Sequence, residues 1–122
     1  MTTETARLRH KLEKEIKQAL PDTRILFENR LRLPHLSTLY FPGIYNEALL
    51  FMLFKQGVFP SIGGGNRPLL SSILESCQYS KEIAHSSLNF SLSSQTTEQE
   101  IETALYAVID CVKKLHKLSL KC

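Results

Sequence analysis

Long hydrophobic runs are missing from this sequence. The longest, Ala48-Leu49-Leu50-Phe51-Met52-Leu53-Phe54, stops after seven residues. A membrane-spanning helix needs about 20 apolar residues, so no membrane partner is expected. The first residues, Met-Thr-Thr-Glu-Thr-Ala-Arg, lack the apolar stretch of a secretory signal, and the expected compartment is the cytoplasm. Cysteine is scarce: Cys77, Cys111 and Cys122 are odd in number and have no Cys-x-x-Cys spacing. Neither a disulfide framework nor a zinc site is suggested. His10, His35, His85 and His116 show no metal-ligand spacing either. An excess of one charge is also lacking, with 15 basic against 12 acidic residues and a net charge of +3. The basic residues collect near both ends, interleaved with apolar ones, as on solvated helix faces. No nucleic-acid partner is expected from that pattern.

What is present is ordinary globular material. The chain has 122 residues, 43% hydrophobic and 22% charged. That length fits one domain, able to bury roughly two thirds of its unfolded surface. The apolar fraction excludes a disordered chain.

Leu8, Leu12, Ile16 and Leu20 recur every four positions and predict an amphipathic helix over residues 5–20, with its charged residues on the other faces. Pro21-Asp22 ends it. A short strand is predicted at 23–27, a second at 36–41 between Pro34 and Pro42, and a brief third at Val58-Phe59. Residues 46–56 read as a helix with Gly57 just past its end, where a C-terminal glycine belongs. Short helices are expected at 70–77 and 81–85. Residues 86–92 alternate polar and apolar, the strand period with one face buried. Thr97-Glu98-Gln99-Glu100 is a capping box. It opens a helix over 97–117 whose apolar face is Ile101, Ala104, Leu105, Val108, Ile109, Val112 and Leu115. The order implies an α+β fold, a small mainly antiparallel sheet with its helices mainly on one face.

The residues alone suggest little chemistry. Gly63-Gly64-Gly65 is followed by neither Gly-Lys-Ser/Thr nor the third glycine of a dinucleotide fingerprint, so 61–68 reads as a flexible loop rather than a phosphate cradle. Cys77 and Cys111 read as small buried hydrophobes, and Cys122, the last residue, as exposed.

Two stretches do carry a resemblance. Ala84-His85-Ser86-Ser87-Leu88-Asn89-Phe90-Ser91-Leu92, followed by Thr96-Thr97-Glu98-x-Glu100-Ile101, resembles the C-terminal region of the cysteine desulfurases, pyridoxal-phosphate enzymes of the class V aminotransferase group. Members of that family supply sulfur for iron–sulfur clusters and typically read Ala-His-Ser-Ser-Ile-Arg-Phe-Ser-Leu-Gly, then Thr-Thr-Glu-Glu-Glu-Ile. Upstream, Leu36-Ser37-Thr38-Leu39-Tyr40-Phe41-Pro42-Gly43, then Asn46-Glu47-Ala48-Leu49-Leu50, is similar to the family's strand, Pro-Gly turn and helix. The resemblance runs over residues 6–119 and implies the family's C-terminal small domain, without the large domain that binds the cofactor.

It also implies altered chemistry. The family's Schiff-base lysine, in a Ser-x-His-Lys context, has no counterpart here, so no cofactor is expected in the isolated chain. The family's nucleophilic cysteine ends a mobile Ser-Ser-Gly-Ser-Ala-Cys loop. The matching residues here are Ser61, Ile62, Gly63, Gly64, Gly65 and Asn66, with Asn66 at the cysteine's place. An amide supplies no thiolate. The arginine that clamps the substrate carboxylate is replaced by Asn89, which forms no charge-assisted fork. Three readings follow from the resemblance: a catalytically degenerate small domain, a non-enzymatic binding module using the surface that receives scaffold and acceptor proteins in the family, or one subunit of a split enzyme. The implied partners are a cofactor-binding large domain in trans, or a second copy through an exposed apolar patch.

Overall fold

The computed structural model describes residues 3–27, 35–63 and 69–121. Its elements are α1 (Thr3–Ala19), β1 (Arg24–Leu26), β2 (Leu36–Tyr40), α2 (Asn46–Lys55), α3 (Leu70–Ser76), α4 (Lys81–Ala84), β3 (Ser87–Ser91) and α5 (Glu98–Lys121). The three strands form one antiparallel sheet in the order β1-β2-β3. Its register pairs Ile25 with Leu39 and Leu39 with Leu88 on one face, and Leu26 with Thr38 and Thr38 with Asn89 on the other. Alternation along each strand thereby sorts the side chains into two layers.

The main core lies on the first face. Leu39, Phe41, Leu88, Phe90 and Leu92 meet Leu8, Leu12 and Ile16 of α1, Leu49 and Leu53 of α2, and Ile101, Leu105, Val108 and Val112 of α5. All of these are 6% exposed or less. The three longer helices thus share one side of the sheet, as the sequence order implies. α3 and α4 lie over the second face, where Leu70, Leu74 and Ala84 form a smaller cluster with Leu26 and Tyr40.

Local chemistry explains the boundaries. Thr97 and Glu100 make the reciprocal capping bonds: the Glu100 amide donates to Thr97 Oγ1 at 3.1 Å and the Thr97 amide to Glu100 Oε1 at 2.9 Å. At the end of α2 the Val58 amide donates to the Leu53 carbonyl and the Gly57 amide to that of Phe54, with Gly57 at φ +79°. This is a Schellman closure, and the positive φ is why glycine stands there.

The structure corrects three expectations. Val58-Phe59 is not a strand, because the Val58 amide is used in closing α2. Cys77 is exposed rather than buried. It caps α3, and the chain turns away at Gln78, which has φ +73°. Glu13 leaves the solvated face of α1 and is buried, accepting a hydrogen bond from Ser37 Oγ at 2.6 Å. Cys111 is buried as expected, on a flank of α5 that it shares with Ala107. Cys122 lies outside the described residues.

Candidate functional site

Asn89 owes its position to the strand period. Leu88 and Phe90 on either side of it are in the main core, so Asn89 points to the opposite face, where it is half-buried. Both of its backbone groups bond to Ser61: the Ser61 amide donates to the Asn89 carbonyl and the Asn89 amide to the Ser61 carbonyl, each at 2.9 Å. Ser61 therefore occupies the side of β3 that faces away from β2. The Asn89 Oδ1 accepts from Thr38 Oγ1 on the neighbouring strand.

The same contact brings the glycine segment to Asn89. The Gly63 amide donates to Ser61 Oγ at 2.9 Å, and the Leu70 amide to the Ile62 carbonyl at 2.8 Å. The chain thus departs and returns at one point beside β3. Mobility expected of 61–68 does not begin at Ser61, whose backbone groups are paired. Gly63 is described, at φ +79°; Gly64, Gly65 and Asn66 lie outside the described residues. Of the two positions that the sequence resemblance singles out, the structure describes Asn89 and, for Asn66, only flanking residues such as Ser61, Ile62 and Leu70.

Further along this face a polar group surrounds Glu82, which sequence reasoning missed. Its carboxylate accepts from the Tyr40 hydroxyl, from the Gly43 amide at 3.4 Å and from Ser86 Oγ at 3.4 Å. The Arg24 guanidinium carbon lies 5.9 Å from the centre of the Tyr40 ring, within cation–π range. Burial, then the bond to Glu82, pushes the Tyr40 phenol up to about 12. Only the alternation of β2 hinted at it, because Tyr40 shares a face with Thr38. The partner Glu82 is 42 residues away.

Cys111 is a poor nucleophile. Burial, then the charge of Asp110, pushes the Cys111 thiol above its ordinary range, away from the reactive thiolate. No described group of three or more His, Cys, Asp or Glu side chains could hold a metal. Every lysine of the described residues stands on a helix, and none of those whose side chains are described is buried. A hollow of about 470 Å³ lies across β3 from Asn89, lined by Phe59, Phe90, Leu92, Thr97 and Glu100. Its acidic side chain is already engaged by Thr97.

No protein-family model matches the chain. Among curated proteins it is 34% identical over 122 aligned residues to a cysteine desulfurase of Azotobacter chroococcum mcd 1, and 33% identical to the cysteine desulfurase NifS of Azotobacter vinelandii. Each match takes in 96% of this chain and 30% of the relative, so the chain spans about a third of the length of those proteins. Among solved structures, a NifS-like protein of Rickettsia africae ESF-5 superposes with a TM-score of 0.73 at 26% identity, over 93% of this chain and 28% of that one. A second NifS-like protein superposes at 0.77 with 21% identity and shares the fold. Among the described residues, no helix is long and apolar enough to cross a membrane.

Proposed function

We propose, for a chain related in sequence and fold to one segment of the cysteine desulfurases, that it is a catalytically degenerate, cytoplasmic form of that segment, unable by itself to take sulfur from cysteine. The observation that carries this reading is Asn89. At the position where the family resemblance calls for arginine, a neutral carboxamide is half-buried with its oxygen engaged by Thr38. An amide offers N–H donors but no charge, so it cannot reproduce a bidentate ion pair with a carboxylate. Two further features agree. Asn66 stands at the place of the nucleophilic cysteine, and none of the described lysine side chains is buried.

The test is direct. The purified chain, mixed with pyridoxal phosphate and cysteine, should show neither cofactor-derived absorbance that survives gel filtration nor sulfide release. Catalytic groups that act as a unit are strongly non-additive, so Asn66→Cys with Asn89→Arg should remain inactive alone. Cofactor-dependent sulfide release by the unmodified chain would overturn the proposal. Activity of the unmodified chain when a cofactor-binding large domain is added in trans would replace it with the split-enzyme reading.

A further inference from the structure

The outer face of α2 has a composition that burial inside this chain does not explain. Leu49 and Leu53 already fill the main core, yet Phe51 is 60% and Phe54 47% exposed on the opposite side of the same helix. Phe59, 72% exposed, packs its ring 5.3 Å from that of Phe54. Two exposed phenylalanines on one helix face, with a third from the following loop stacked on Phe54, are unusual on a solvated surface, where a helix normally presents polar residues outward.

The charges on this strip have an order. Glu47, Phe51 and Lys55 follow at steps of four and share one side of the helix with Phe54. Glu47 is in the first turn and Lys55 in the last, about 12 Å apart along the axis at 1.5 Å per residue. Glu47 accepts a bond from the Tyr45 hydroxyl, and the Lys55 ammonium lies 4.5 Å from the centre of the Phe51 ring. Phe51 therefore stands midway between an acid and a base. Such a strip complements itself when reversed: turned end for end about Phe51, it offers lysine to glutamate and glutamate to lysine.

We propose that α2 is the interface of an isologous dimer, in which two copies of this chain pack their α2 helices antiparallel. Phe51 sits at the two-fold axis, Phe54 and Phe59 flank it, and Glu47 of each copy pairs with Lys55 of the other. A two-fold contact needs one self-complementary patch, and this strip supplies both the apolar centre and the charged ends. A parallel arrangement would set like charges against each other. The inference is independent of whether the chain is catalytic.

Sedimentation equilibrium of the purified chain tests it. The wild type should weigh twice the chain mass at micromolar concentration, and Phe51→Asp should weigh one chain mass with unchanged circular dichroism. Glu47→Lys alone and Lys55→Glu alone should each weaken association by about tenfold, because every substitution is made twice per dimer. The double reversal should return it to within about threefold of wild type. The pairing rescue separates this interface from indiscriminate apolar clustering, which Phe51→Asp would also weaken. A monomeric wild type, a dimer indifferent to Phe51→Asp, or a double reversal no better than the single changes would each overturn the proposal.

Discussion

Tyr40 and Asn89 stand on the same face of the sheet, one in β2 and one in β3, and each is held by a partner far away in sequence. Their consequences differ. Tyr40 is 8% exposed, with its phenol pushed up to about 12 by burial and by Glu82. A phenol raised in the folded state above its ordinary value near 10 stabilises the fold in its protonated form. That contribution, on the order of 2 kcal/mol, is complete below about pH 10 and is lost as the pH climbs toward about 12. Urea unfolding across this range should show the decline in the wild type and a much flatter profile in Tyr40→Phe. Neither side chain stood out in the sequence as bonded. Asn89 was singled out in the sequence through the family resemblance, but its tie to Thr38 and Ser61 required the sheet register, which joins residues 51 and 28 positions apart.

At the scale of the element, α5 and its contact with α1 show how much a helix carries in its own sequence. The capping box of α5 was readable because its bonds span three residues, and it forms as expected. Thr97→Ala should cost about 1 kcal/mol in thermal or chemical unfolding. The ion-pair group that joins α5 to α1 was not readable. Glu98 meets the Arg7 guanidinium at 2.8 Å and the Lys11 ammonium at 3.1 Å, and Lys11 also reaches Glu102 at 3.3 Å. Bonds from Arg7, then Lys11, hold the Glu98 carboxyl below its ordinary range. A lowered carboxyl stabilises the fold at neutral pH, and the benefit is lost as pH falls through its folded value. Glu98→Gln should therefore narrow the difference in melting temperature between neutral and acidic buffer. The exposed setting makes the effect small and sensitive to salt.

At the scale of the whole molecule, the central strand β2 joins the two layers. Leu39 is fully buried in the main core, while Tyr40 beside it belongs to the smaller cluster under α3 and α4. Leu39→Ala should cost about 2–5 kcal/mol, because its neighbours on β1, β3 and the helices are fixed and cannot collapse into the space. Equilibrium denaturation would register it as a lowered midpoint with little change in slope.

The sequence by itself determined the helices, the three strands of the sheet, the capping and the closure of α2. Each depends on interactions within a few residues: apolar spacing at three to four, alternation at two, Thr97 with Glu100, Gly57 after Lys55. It also carried the family resemblance, which singles out Asn66 and Asn89. The tertiary structure decided what those patterns could not. Glu13 is buried because Ser37 of β2 receives it. Val58 is no strand, because its amide bonds back to Leu53. Phe51 and Phe54 are exposed because Leu49 and Leu53 took the inward side of a helix that is apolar on both. A single-residue hydrophobicity cannot say which of two apolar faces meets the core; only the packing of α1, α2 and α5 against the sheet makes that choice.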